Sequence, residues 1–298
     1  MKQIGMIGLG KMGLNLALNL LDHKVEVHGY DTHPSEAAKQ SPSLKRHQSL
    51  ETLIAALTPP RILWLMIPAG PPTEAMLEQL TTQLDAGDII IDGGNSRYLD
   101  TIKRAETLKQ QKLHLIDCGT SGGTEGARHG ASLMVGGSEE AVSQCEWVFK
   151  MLATKDGYAH LGPSGAGHFV KMVHNGIEYG MMQALGEGFE LLEASPFDLN
   201  YQDVSKVWAN GSIIEGLLMR MVVSAFADDP KLEAIAGRVD ESGEGRWTVE
   251  AAVNLKVAAP VITQALYSRF KSKDDDKFAE KLVAAMRNAF GGHAVYKK

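Results

Sequence analysis

Cysteine is scarce in this chain: Cys118 and Cys145 are the only two in 298 residues, and they stand in no metal-ligand spacing. A cysteine-built metal site is excluded, and a reducing, cytoplasmic setting is expected. Long hydrophobic runs are also missing. The apolar stretch from Ile62 to Ala69 is far too short to span a bilayer, so no membrane segment is expected. Met1-Lys2 followed by apolar residues faintly resembles a leader, but no small-residue cleavage site follows and none is expected. Positive charge is in deficit, with a formal net charge of −6. That excludes nucleic acid or an anionic membrane as the main partner, and an anionic substrate would need a local basic pocket. Internal repeats and low-complexity segments are absent too.

The chain is long enough for one large domain or two ordinary ones. Residues 2–7 read as a strand, Gly8-Leu9-Gly10-Lys11-Met12-Gly13 follows at once, and Leu14 to Leu21 reads as a helix. Val25 to Tyr30 reads as a second strand, ending at Asp31. Strand, G-x-G-x-x-G, helix, strand and acidic residue in that order form a dinucleotide fingerprint, whose glycines allow close approach of backbone to a pyrophosphate. The alternative is a glycine-rich turn without ligand. A phosphate-binding P-loop is excluded, because Lys11 is followed by Met12 and not by Ser or Thr. A carboxylate at Asp31, with Thr32 beside it, accepts hydrogen bonds from the adenosine ribose hydroxyls and repels a 2′-phosphate. NAD is therefore the expected coenzyme, with NADP the weaker alternative that a cationic His33 would permit.

Strands alternate with helices as far as His114 to Cys118, which predicts a doubly wound parallel sheet of the Rossmann kind. Ligands of such sheets bind at the carboxyl ends of strands. Pro68 and Ala69, Asn95, and the loop Gly119 to Gly126 fall at such ends, although Gly, Asn and Ser populate turns anyway. Glycine and proline thicken between Gly157 and Gly165, which places a boundary there: residues 1–163 form the dinucleotide-binding domain and 164–298 an all-helical one. Helical patterns run through 166–194, about 201–228, about 247–270 and 275–290, with breaks or kinks at Pro196, Pro230 and Pro260.

One stretch of the helical half stands apart. Lys171, His174, Asn175 and Glu178 fall at i, i+3, i+4 and i+7, on one face of a helix. Phe169, Val170, Val173, Ile177, Met181 and Met182 surround them, so the helix is expected to be buried. Polar groups there need partners or a function. A structural pair between Lys171 and Glu178 or Asn175 is the plain alternative. His174 and Glu178 lack the further ligands a metal needs, so no metal is expected.

These pieces together resemble the decarboxylating 6-phosphogluconate dehydrogenases, within the wider β-hydroxyacid dehydrogenase group. The resemblance lies in residues 8–13, Asp92-Gly-Gly-Asn-Ser96, Ser121-Gly122-Gly123 with Glu125 to Arg128, and above all 165–179; Trp208 to Ile214, Gly245 to Thr248, Arg269 and the tail from Arg287 to His293 extend it. It implies that Lys171 takes the C3 hydroxyl proton as hydride leaves for the nicotinamide, and that Glu178 protonates C1 of the enediol after carbon dioxide is lost. It implies that Asn95, Ser121, Gly122, Gly123, His174 and Asn175 hold the carboxylate and hydroxyls of a small phosphorylated sugar acid. Tyr179 and Arg269 would bind the phosphate, joined by Arg287 and His293 from a neighbouring subunit. The shortness of the chain relative to long family members implies a homo-oligomer, dimer or tetramer, in which partner helices replace a second helical repeat. Ser242 and Glu244 depart from the lysine and threonine that many long forms carry. Two other readings stay open: a dehydrogenase of unphosphorylated β-hydroxyacids, and a silent dinucleotide-binding regulator.

Overall fold

The computed structural model describes residues 2–297. Two compact units divide between Asn175 and Gly176. The first holds an eight-stranded sheet: β1 (Gln3–Ile7), β2 (Glu26–Tyr30), β3 (Lys45–Arg46), β4 (Ile62–Leu65), β5 (Ile89–Asp92), β6 (His114–Ser121), β7 (Ala131–Gly136) and β8 (Ala153–Gly162). Its order is β3-β2-β1-β4-β5-β6-β7-β8. Strands β1 to β6 are parallel, as the alternation predicts. The β6–β7 pair is antiparallel, which departs from a wholly parallel sheet. The helices α1 (Lys11–Asp22), α2 (Glu36–Gln40), α3 (Leu50–Ala55), α4 (Pro71–Thr81), α5 (Tyr98–Gln110), α6 (Gly123–His129) and α7 (Glu139–Leu152) complete this unit, with the first turns of α8 (Ala166–Glu193).

The strands are apolar on both faces because both faces are covered. Leu63, Leu65 and Ile90 pack on one side with Leu53, Leu80 and Leu108, whereas Trp64, Ile89 and Ile91 pack on the other with Leu16, Val27 and Phe149. Strand order reverses between β1, from which the chain proceeds outward to β2, and β4, from which it proceeds the other way to β5. That reversal is where a doubly wound sheet leaves a ligand crevice.

The second unit is helical among the described residues: the rest of α8, then α9 (Tyr201–Trp208), α10 (Leu217–Asp228), α11 (Glu244–Asn254), α12 (Pro260–Lys271) and α13 (Phe278–Gly291). The single patterns predicted over 201–228 and 247–270 are each two helices. Gly211 and Gly216 take positive φ in the first gap, and Pro260 opens α12 after the second. The glycine- and proline-rich stretch at 157–165 ends β8 and leads into α8, while the division between the units falls further on, inside that helix. α8 is also not buried all round, although its apolar composition predicts burial: Val170, Ile177 and Met181 are 38%, 51% and 53% exposed. α13 buries none of its residues. No helix among the described residues is long and apolar enough to cross a membrane.

Candidate active site

The glycine loop joins β1 to α1 at the reversal of strand order. Gly8 has φ +94°, and a Cβ there would lie 2.3 Å from the Met66 carbonyl oxygen. A Cβ on Gly13 would lie 2.0 Å from the Gly8 carbonyl oxygen. Only glycine permits this turn to lie against the loop after β4. Gly10, by contrast, has open space on its side-chain face, is exposed, and precedes α1 without a side-chain cap. The free amides of a twelve-residue helix and the room above Gly10 match a pyrophosphate. These residues fit a dinucleotide.

Asp31 follows β2 and is fixed in two directions. Its Oδ2 accepts from the Leu9 amide at 2.6 Å, and its Oδ1 accepts from the His33 amide at 2.7 Å. The carboxylate is thus held beside the glycine loop with lone pairs remaining for ribose hydroxyls. Thr32 and His33 are exposed and bonded to each other, Oγ1 to Nδ1, at 3.0 Å. Pro68 and Ala69 lie in the loop after β4, which Thr73 fastens by donating to the Pro68 carbonyl at 2.9 Å. Lys11 is exposed and Met12 half-buried on the first turn of α1.

Asn95 is the one exposed residue in a buried turn after β5. Asp92 builds that turn: it accepts from the Gly94 amide at 3.1 Å and the Ser96 hydroxyl at 2.7 Å, and Arg104 reaches both Asp92 and Ser96. A Cβ on Gly94 would meet the Ile67 carbonyl oxygen at 2.7 Å, so this turn lies directly beside the Pro68 loop.

The polar stripe on α8 begins in the same unit. Lys171 is 8% exposed, and its Cβ sits where a Cβ on Gly119 would be, 2.3 Å away. The predicted loop 119–126 is in fact the end of β6 and the start of α6. Ser121 closes β6, and its hydroxyl lies 3.2 Å from His174 Nε2, while His174 Nδ1 lies 2.9 Å from Asn175 Oδ1. An amide oxygen only accepts, so in the neutral imidazole Nδ1 carries the proton and Nε2 accepts from Ser121. Gly122 and Gly123 follow with φ +110° and +63°, the turn that lets α6 start there.

The second unit carries its own polar cluster. Arg269 stacks over the Tyr179 ring, its guanidinium carbon 3.4 Å from the ring centre, and donates to the Asp240 carbonyl at 2.9 Å. The Tyr179 hydroxyl accepts from the Ser242 amide at 3.1 Å and lies 3.4 Å from the Ser242 hydroxyl, which donates to Glu244 at 2.7 Å. Glu244 is buried at 3% exposure. Of the two residues set aside in the sequence as departures from long forms, Ser242 is therefore bonded to Tyr179, and Glu244 is bonded to Ser242 behind it. A Cβ on Gly245 would meet the Tyr179 ring at 2.3 Å, which fixes glycine beside the ring. Glu178 is half-buried on α8. Arg287 and His293 are not drawn to this cluster by any bond among the described residues. They are exposed at the end of α13, where the His293 amide donates to the Arg287 carbonyl at 3.4 Å.

Two residues that matter to this geometry escape sequence reasoning. Asp117, wholly buried in β6, accepts from the Gly165 amide at 2.6 Å and the His168 amide at 2.7 Å. His168, itself 2% exposed, bonds Thr101 through Nδ1 at 2.7 Å. The available signal was a carboxylate inside the otherwise apolar run Leu115-Ile116-Asp117-Cys118.

Comparison with known proteins agrees with this layout. A sequence family described as the NAD binding domain of 6-phosphogluconate dehydrogenase matches residues 3–162, and one described as the 6-phosphogluconate dehydrogenase C-terminal domain matches 167–289. A Bacillus subtilis protein that carries a provisional 6-phosphogluconate dehydrogenase name is 48% identical over 297 residues, covering 99% of this chain and 100% of that one. A Haloferax volcanii protein, named as an NAD-dependent, decarboxylating 6-phosphogluconate dehydrogenase, is 41% identical over 299 residues and 99% of each chain. Among solved structures, the 6-phosphogluconate dehydrogenase of Plasmodium falciparum superposes with a TM-score of 0.83 at 29% identity, over 99% of this chain and 66% of that longer one.

Proposed function

This chain belongs to the 6-phosphogluconate dehydrogenase family, and we propose that it converts 6-phospho-D-gluconate to D-ribulose 5-phosphate and carbon dioxide with reduction of NAD. The observation that carries this reading is the cluster on and beside α8: buried Lys171 against Gly119, with Ser121, His174 and Asn175 bonded in a chain next to it. An unphosphorylated hydroxyacid would leave Arg269 without an anion to pair, and a silent regulator would have no use for Lys171.

Bound NAD supplies a hydride acceptor. Gly8 to Gly13, Asp31, Thr32, Pro68, Ala69 and Asn95 hold it, and the fixed Asp31 carboxylate disfavours a 2′-phosphate. Lys171, acting from its neutral form, takes the proton of the C3 hydroxyl as hydride leaves C3. The resulting β-keto acid loses carbon dioxide from C1. Glu178 gives a proton to the former C2 of the enediol that remains, which becomes C1 of ribulose 5-phosphate. Asn95, Ser121, Gly122, Gly123, His174 and Asn175 orient the carboxylate and hydroxyls. Tyr179 and Arg269 take the phosphate, for which a guanidinium fork is suited.

Arg287 and His293 complete the site of a neighbouring subunit in a homo-oligomer. Support for this comes from α13, which presents Phe278, Leu282, Met286 and Phe290 along one exposed face and buries nothing. The setting is cytoplasmic, in keeping with two buried, unpaired thiols.

Single-turnover kinetics test the assignment of roles. Lys171→Met abolishes both NADH formation and carbon dioxide release, because no base remains. Glu178→Gln forms NADH in the first turnover but releases ribulose 5-phosphate slowly. Full steady-state turnover by Glu178→Gln would reduce Glu178 to a structural residue, and full turnover by Lys171→Met would refute the reading.

A further inference from the structure

We infer that Asp117 is a positioning residue: its buried carboxylate clamps the first turn of α8 and so fixes the place of Lys171 against β6. The inference rests on the reading of Lys171 as the base.

A wholly buried carboxylate is costly unless it is fully bonded. Asp117 meets that demand from a neighbouring element. Oδ1 accepts from the Gly165 amide at 2.6 Å and Oδ2 from the His168 amide at 2.7 Å, so one side chain of β6 takes two amides at the start of α8. Free amides and the helix dipole at that end both favour a negative charge. The bonds span 48 and 51 residues of sequence and join two elements that glycine brings into backbone contact.

Three glycines remove every spacer from that contact. A Cβ on Gly167 would lie 2.4 Å from the Met134 carbonyl oxygen and 2.7 Å from the Gly136 amide nitrogen. A Cβ on Gly136 would lie 2.6 Å from Asp117 Oδ1, and one on Gly119 would lie 2.3 Å from Lys171 Cβ. The helix backbone therefore rests on the backbones of β6 and β7. His168, pinned by its amide to Asp117 and by its ring to Thr101 at 2.7 Å, stops rotation about the helix axis. One turn later comes Lys171. A cap that merely stabilised the helix would not need this register; a base that must meet one hydroxyl does, since a misplacement of about 1 Å can cost on the order of 100-fold in rate.

Asp117→Asn in the full-length enzyme keeps the shape but sets an NH2 group against one of the two amides. With C3-deuterated 6-phosphogluconate, the expected result is a fall in kcat of about 10- to 100-fold and a larger deuterium isotope effect on NADH formation. NADH affinity, read by fluorescence titration, stays unchanged, because the glycine loop and Asp31 are untouched. Wild-type kcat and isotope effect in folded protein would overturn the inference while leaving the reading of Lys171 intact. A parallel loss of kcat and NADH affinity would also overturn it, by showing general damage to the unit. Should Asp117→Asn fail to fold, Gly119→Ala, which displaces Lys171 from the strand side, is read by the same two outcomes. Full turnover by Lys171→Met would instead remove the reading beneath the inference, and the inference with it.

Discussion

Asp31 illustrates how much one side chain can do at the carboxyl end of a strand. It ties the glycine loop through Leu9 and the following turn through His33, besides its proposed part in the choice of coenzyme. Replacing it therefore has two effects that should be measured together. Asp31→Arg is expected to shift preference toward NADP, and also to lower stability by about 1–3 kcal/mol, because two amides lose a charged acceptor. A change of preference with no fall in Tm would mean that the two bonds to Asp31 carry little. The buried thiols permit a second prediction at this scale. Burial pushes Cys145 up to about 12 and moves Cys118 in the same direction. In the unfolded chain a thiol ionises near pH ~8.5. Because the folded values lie higher, the stabilising contribution is complete below the unfolded value and is lost as pH climbs toward the folded one. Stability should decline from about pH 9 upward, and a Cys118→Ser, Cys145→Ser variant should lose part of that slope in chemical unfolding at pH 8 and pH 10. The residues of the glycine loop and Asp31 were legible in the sequence because their spacing follows directly from backbone geometry within one βαβ unit. Asp117 was not, since its partners stand 48 and 51 residues away.

Elements were legible where one period dominates. The polar stripe of α8 gave both the helix and the residues on its polar face. The opposite face misled, because apolar composition does not say whether this chain or a partner covers Val170, Ile177 and Met181. The stretch from 127 to 156 carries β7, α7 and the first residues of β8 and escaped reading, although glycines flank it and Gly130, Gly136 and Gly137 punctuate it. Helices α9 to α12 were read as two long patterns because apolar periodicity runs across their breaks. α13 bears the prediction that belongs here. If Arg287 serves a neighbouring subunit, mixing inactive Arg287→Ala and Lys171→Ala subunits should create some sites with neither lesion. Mixed oligomers, verified by two affinity tags, are expected to recover up to about a quarter of wild-type activity if subunits combine at random in dimers with independent sites. No recovery in verified hybrids would place the tail in its own subunit's site.

Across the whole molecule, the parallel sheet with glycine loops and the helical second unit place two kinds of chemistry in one chain. The first unit offers a dinucleotide cradle with Lys171, Ser121, His174 and Asn175. The second offers the stacked Tyr179 and Arg269 with Ser242 and Glu244 behind them. The central claim is that oxidation at C3 and loss of C1 occur on the same substrate in the same enzyme. The most direct measurement uses 6-phosphogluconate labelled with 14C at C1, with NAD supplied and NADP in a parallel reaction. The account predicts one labelled carbon dioxide released for each NADH formed, with NAD turned over more efficiently than NADP. NADH without labelled carbon dioxide, or faster turnover with NADP, would contradict it.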